Sequence, residues 1–239
     1  MRWLALALAA FALAGCETTA EKSAKLEQAA KRHERGPTER TLSITRLSAK
    51  VRAGATVVLH TSEGAAVVVT LHNNSSSTMR DVPLEIAVKD AHGVSVYTNT
   101  APGLGAALAS APLIPAHGAF SWIDDQVQAS GVPASVSARV GEGTPVTGAI
   151  PRLSVEGAHL IEDPTSGPGA EGSIVNHSAV GQQELVVYAL ARRGGRITAA
   201  GRAVLPSAPA NATTRFQLFF IGDPRGSRLE VSAPATTLG

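Results

Sequence analysis

Leu84-Glu85-Ile86-Ala87-Val88-Lys89 alternates apolar with polar or small residues without a break, and Leu229-Glu230-Val231-Ser232 repeats the pattern near the other end of the chain. Period two with one apolar face marks a β-strand whose sheet is wetted on its other side, which predicts antiparallel pairing. Around these segments, the chain from residue 41 onward breaks into short runs of Val, Thr, Ile and Leu punctuated by Gly, Pro, Asn and Ser. The expected strands are 42–48, 56–60, 66–72, 84–89, 95–99, 119–123 and 135–140, then 152–156, 172–176, 184–191, 196–204, 214–221 and 228–233. Val67-Val68-Val69 and Phe219-Phe220-Ile221 are apolar on both faces and belong between two sheets. No stretch beyond residue 40 has a helical period. The fold class that follows is all-β, with stacked antiparallel sheets.

The two halves of this region repeat one another. Leu71-His72-Asn73-Asn74-Ser75 aligns with Ile174-Val175-Asn176-His177-Ser178, and 82–88 then aligns with 185–191. Each copy continues through a glycine turn (Asp90-Ala91-His92-Gly93 or Arg192-Arg193-Gly194-Gly195), a strand, a Pro-containing segment and an aromatic strand. The aromatic strands are Phe120-Ser121-Trp122 and Phe216-Gln217-Leu218, and both copies close on Val-Ser-Ala, at 136–138 and 231–233. Matching Phe120 to Phe216 implies an insertion of about seven residues in the first copy, placed at 101–111. The segment 101–115 carries Leu104, Leu108, Leu113 and Ile114, too apolar for a solvated loop, and is expected to fold back over the first core.

The chain has 239 residues, enough for two small domains, expected at 41–143 and 144–239 and joined near 142–150. It opens with Met-Arg-Trp, an apolar run from Leu4 to Ala14, and Gly15-Cys16. That run is too short to span a bilayer as a helix and has the form of an export signal, residues 1–15. Residues 16–40 are polar and rich in Ala, Glu, Gln and Lys, with Leu26 the sole larger aliphatic, so they read as a solvated stalk able to form helix and closed by Gly36-Pro37.

Leu13-Ala14-Gly15-Cys16 resembles the bacterial lipobox at all four positions. The resemblance implies cleavage before Cys16, a diacylglycerol thioether on its thiol, and retention on a membrane through two or three acyl chains. The order of strand, Asn-Ser turn, strand, glycine turn, strand and Pro loop over residues 172–233 resembles the FxLYD and related immunoglobulin-like modules of bacterial envelope proteins. Leu185-Val186-Val187-Tyr188-Ala189 stands where those modules carry the Phe-x-Leu-Tyr-Asp string. The first copy resembles the same class more loosely. These resemblances imply two immunoglobulin-like antiparallel β-sandwiches behind a signal peptide and stalk, in a lipid-anchored protein facing outward from the cytosol, and they bring no catalytic residue with them.

Composition excludes several functions. The formal net charge is +2 and no basic cluster stands outside the first forty residues, so the footprint of a nucleic-acid binder is missing. The Arg192-Arg193-Gly194-Gly195-Arg196 hairpin tip is only a compact basic point, suited to anionic lipid or polymer. A single Cys excludes an intramolecular disulfide framework and a Cys-rich metal site. The seven histidines, His33, His60, His72, His92, His117, His159 and His177, lack ligand spacing. Asp124-Asp125 is an adjacent carboxylate pair expected at an exposed strand end, where Ca²⁺ binding or sugar hydrolysis is the chemistry to weigh. Neighbours on a strand point apart, however, and the chain holds too few aromatics for a sugar platform. No Gly-x-Ser-x-Gly occurs, and Gly194-Gly195 and Gly103-Leu104-Gly105 lack the helix that a phosphate loop needs. Asn73, Asn74, Asn176 and Asn211 fall in Asn-x-Ser/Thr and are read as turn formers.

The expectation is therefore a non-enzyme with no cofactor, no metal site and no catalytic residue, whose one assigned site is lipid attachment at Cys16. It would act as an interaction or scaffold module for another envelope protein. A ligand-binding lipoprotein that captures a small molecule or glycan at the junction is the alternative, although Glu142, Thr144, Thr147 and Arg152 are all the junction segment offers.

Overall fold

The computed structural model describes residues 42–239; the expected signal peptide, Cys16 and the stalk lie outside the described residues. The described chain is all-β with antiparallel sheets throughout. Its elements are β1 (Val51–Thr61), β2 (Gly64–Asn73), β3 (Met79–Lys89), β4 (Ser95–Thr98), a single turn of helix α1 (Ala106–Ala109), β5 (Ser110–Ile114), β6 (Ala119–Val127), β7 (Ser135–Val140) and β8 (Thr144–Pro145). The second half follows with β9 (Leu153–Asp163), β10 (Gly167–Asn176), β11 (Gln182–Arg193), β12 (Arg196–Ala208), β13 (Thr213–Phe219), β14 (Ile221–Gly222) and β15 (Arg228–Ser232).

Each half contributes two sheets. In the first, β2 lies between β1 and β6, while β3 pairs with β4, β5, β7 and β8. In the second, β10 lies between β9 and β13, and the other sheet runs β14-β12-β11-β15. With β4 and β5 counted as one interrupted strand, both halves have the strand order of an immunoglobulin-type sandwich. Alternation on β3 puts Val82, Leu84, Ile86 and Val88 in the core, as expected from the period-two pattern.

Strand β11 has no wet face. Leu185, Val187, Ala189 and Ala191 join the core of the second sandwich, whereas Val186, Tyr188 and Leu190 join the core that also holds Val67, Val69, Phe120 and Ile123 of the first half. The halves are thus fused through apolar burial, and an exposed-face pattern is absent from 185–191 for that reason. At Gly201 on β12, the Phe219 carbonyl oxygen comes so close that a Cβ would lie 2.1 Å from it. A residue without a side chain is needed there, because the chain leaving β13 crosses over β12 to form β14.

Equivalent hydrogen bonds fix the register of the repeat. Val69 pairs with Trp122 and Gly172 with Phe216, so Trp122, not Phe120, is the counterpart of Phe216. Trp122 follows Asn73 by 49 residues and Phe216 follows Asn176 by 40, so the first copy carries nine extra residues, not seven. A slip of two keeps every side chain on its face, and hydrophobic pattern alone cannot detect it. Most of the insertion interrupts the strand that is continuous as β12 and includes α1. It folds back as expected: Leu108, Leu113 and Ile114 are buried, and the Trp122 indole donates to the Ala107 carbonyl at 2.9 Å. Asn99 ties the insertion down, its amide donating to the carbonyls of Leu84 and Leu108.

Two strand expectations fail. Segment 42–48 makes only an isolated bridge between Leu47 and Gly141, with the Ser48 N–H donating to the Val140 carbonyl, and forms no strand. Segment 110–114, expected as part of a loop, is strand β5; Pro112 is tolerated because β5 pairs only with β3 and lies at a sheet edge.

Candidate functional site

Two structural devices and one groove gather the chemistry-bearing residues. The first device is a pair of buried asparagines at the same end of both sandwiches. The Asn73 amide donates to the carbonyls of Ser77, Ile114 and Pro115 at 2.8, 3.2 and 3.0 Å, while its oxygen accepts from the Ser75 N–H and hydroxyl at 3.0 and 2.7 Å. Asn176 does the same with Val180, Ala208 and Pro209 at 2.9, 3.2 and 3.1 Å, and with Ser178 at 3.0 and 2.7 Å. Asparagine is required because no other small side chain offers two donors and an acceptor without charge. Sequence reads these residues as turn formers; the structure makes them buried clamps that also hold the distant Pro loop. Their Asn-x-Ser strings reflect this clamp.

The second device is a polar cluster where the halves meet. Contrary to the sequence expectation, Asp124 and Asp125 lie within β6 and neither is a solvated loop carboxylate. Asp124 is fully buried and accepts from the Tyr97 hydroxyl at 2.8 Å and from the Gln126 N–H at 2.9 Å. Asp125 points the other way, as strand alternation demands, and grips Arg202 of β12: Nε donates at 2.7 Å and the Arg202 backbone N–H at 2.9 Å. The Arg202 side chain is only 4% exposed. Tyr188 stands across from Arg202 in the β11–β12 register and packs edge-on against Phe120, with ring centroids 5.1 Å apart. Its buried hydroxyl has no hydrogen-bond partner among the described residues. Neither Tyr97 nor Arg202 is singled out by sequence reasoning, and Tyr188 enters it only as part of the 185–189 string; the nearest signal is an arginine inside an otherwise apolar strand.

Electrostatics follow from burial. Burial raises the Asp124 carboxyl above its ordinary value, with the Gln126 N–H and the Tyr97 hydroxyl pulling the other way. Tyr97 and Tyr188 are both pushed up, chiefly by burial. Burial works against the Arg202 charge, but Asp125 and Asp124 outweigh it, so its guanidinium stays charged. Between the ordinary carboxylate range and the raised value of Asp124, the folded protein keeps a proton that the unfolded chain has released, so stability falls as pH rises through that window. Asp124→Asn, neutral at every pH, is expected to remove this component; urea unfolding from pH 4 to 7 checks it, and an unchanged pH dependence would rule Asp124 out as its source.

The groove, of about 510 Å³, lies between the halves near the asparagine end. Leu113, Ala119 and Phe120 line it from one side and Leu153, Val155 and Val231 from the other. Ser154, also on its wall, is 2.8 Å from His177 Nε2. The nearby carboxylate, Glu156, contacts the Ser154 hydroxyl at 3.5 Å and does not orient the imidazole, so the relay that activates a serine is not assembled. His159 faces Glu171 at 3.2 Å on the surface. No group of three or more His, Cys, Asp or Glu side chains among the described residues could hold a metal ion. Glu142, the acid expected at the junction, pairs instead with Arg46 on the surface at 3.2 Å. Cys16 and His33 lie outside the described residues.

No protein-family model matches the chain, and no curated protein matches it. Among solved structures, red sea bream transglutaminase aligns over 90% of this chain at 14% identity with a TM-score of 0.24, and the chain spans 32% of that structure's length.

Proposed function

We propose that the chain is a lipid-anchored protein of the cell envelope, held outside the cytosol by acyl groups on Cys16, whose paired β-sandwiches serve as a non-catalytic interaction or scaffold module for another envelope protein. The observation that carries the anchor is Leu13-Ala14-Gly15-Cys16 at the end of an apolar run with a charged start. Among the described residues no helix is long and apolar enough to cross a membrane. The scaffold role is supported by the locked junction, because a body whose halves share a core and a buried ion pair presents its loops in fixed relation.

Cys16→Ser, or globomycin treatment, is expected to move the protein out of the membrane fraction; unchanged retention would end the anchor reading. Crosslinking in intact cells followed by mass spectrometry is expected to recover one envelope protein, linked through the same surface in repeated experiments.

The alternative reading, capture of a small molecule or glycan between the halves, is favoured by one observation, the groove at the junction, whose volume falls within the ~300–1,000 Å³ of ligand pockets. Under that reading Leu153→Arg abolishes ligand capture while leaving crosslinking unchanged.

A further inference from the structure

The folded chain carries a basic cluster beyond residue 40 that the linear sequence conceals. Arg193 pairs with Arg196 across the β11–β12 hairpin, and Arg192 pairs with Arg228 on β15. The adjoining loop adds Arg225, whose partner Asp223 also feels the field of Arg193. Residues 42–239 hold 14 Lys and Arg against 14 Asp and Glu, so the body is formally neutral, yet five of its cations stand at this one tip. Three carboxylates oppose them: Glu230 pairs with Arg192 and Arg228, Asp223 with Arg225, and Glu162 lies within range of Arg225. Arg193 and Arg196 are exposed and have no ion pair among the described residues.

The fold does not require these arginines. The corresponding turn of the first half reads Asp90-Ala91-His92-Gly93 and is closed by Asp90 bonding to the His92 and Val94 N–H groups. Lysine is scarce in the body, only Lys50 and Lys89, and all five tip cations are planar guanidinium forks that match phosphate oxygens two at a time. Strand pairing sets the Arg193 and Arg196 backbones about 5 Å apart, which places the two unpaired charges side by side, as successive charges along a chain require.

The chain enters β1 beside the Asn73 clamp, where the Asn74 N–H bonds to the Lys50 carbonyl. The β1–β2 turn at the far end of β1 places Glu63 beside Gly167 and Gly64 beside Ile221, close to the arginine tip. The tip therefore lies at the end of the body away from the Asn73 clamp.

We propose that this tip is a binding site for a linear phosphate-bearing polymer. The site rests on the arginines of the tip and not on the anchor reading above.

The test uses the full chain and fluorescently labelled inorganic polyphosphate, read by anisotropy across a salt series. Arg193 and Arg196, the two tip arginines without an ion pair among the described residues, each neutralising one phosphate, predict a slope of roughly −1.4 in log affinity against log salt. Arg193→Ala with Arg196→Ala is expected to weaken binding at least about tenfold and to flatten the slope by about 1.4, because two phosphates then keep their counterions. Arg52→Ala with Arg215→Ala, which removes the same charge elsewhere, should leave binding unchanged. Equal loss in both variants, or no binding of polyphosphate by the parent, overturns the proposal. Capture by phosphatidylglycerol vesicles that depends on Arg193 and Arg196 while polyphosphate is ignored also overturns it, in favour of a bilayer contact. Loss of membrane retention in Cys16→Ser with polyphosphate binding intact keeps the site and the anchor separately judged.

Discussion

Arg202→Met is expected to destabilise the body by about 3–5 kcal/mol, the cost of leaving the Asp125 carboxylate in the junction with its guanidinium partner removed. Methionine retains most of the volume and the apolar stem, so the loss reports charge and hydrogen bonding more than a cavity. The double variant Asp125→Asn, Arg202→Met should recover most of it, because a neutral pair no longer strands a charge in a dry contact. Urea unfolding monitored by Trp122 fluorescence and by circular dichroism gives both quantities. A single variant within about 0.5 kcal/mol of the parent, near the noise of ordinary surface substitutions, would mean that water reaches Asp125 and that the ion pair does not hold the halves together. Because this pair bridges β6 and β12, loss of the single transition in the Arg202 variant is a further expected sign: the two halves should begin to unfold apart.

Asn176→Asp should be as damaging. The substitution keeps shape and replaces the amide donors with oxygen, so a carboxylate would face the carbonyls of Val180, Ala208 and Pro209. Three lost hydrogen bonds and a buried charge set against acceptors imply a loss of about 4 kcal/mol or more, easing at acid pH where the new carboxyl is protonated and can donate once. Asn176→Ala, which only vacates the site, should cost less, about 3 kcal/mol. Asn73 should behave alike in the first half, since its partners are the same in kind and distance. Aspartate tolerated at either position with less than about 1 kcal/mol lost would show that the clamp is solvated.

The clamps also explain how much of the repeat was legible. Asn73-Asn74-Ser75 and Asn176-His177-Ser178 align by eye, and the fold repeats every hydrogen bond of one in the other. Even the backbone strain repeats: Asp81 at φ 49° and Glu184 at φ 47° occupy the left-handed region at matching positions, as do His117 at φ 50° and Asn211 at φ 51°. From the aromatic strand onward, sequence alignment of the copies slips by two residues, because Phe120 and Trp122 share a face and nothing in the pattern distinguishes them.

Local signals were enough for the all-β class, for the alternation of β3 and β15, for the burial of β2 between sheets and for the return of the insertion onto the first core. Each depends on which side chains prefer water, a property carried by a short window of chain. The roles of Asp124, Asp125, Tyr188 and Arg202, and the gathering of five arginines at one tip, depended on tertiary structure, because they join residues up to 77 positions apart whose meeting is set by register and by how sheets stack. Charge in a sequence has a sign but no depth; only packing decided that the Asp125–Arg202 pair would be buried at the junction and Arg193 left in water.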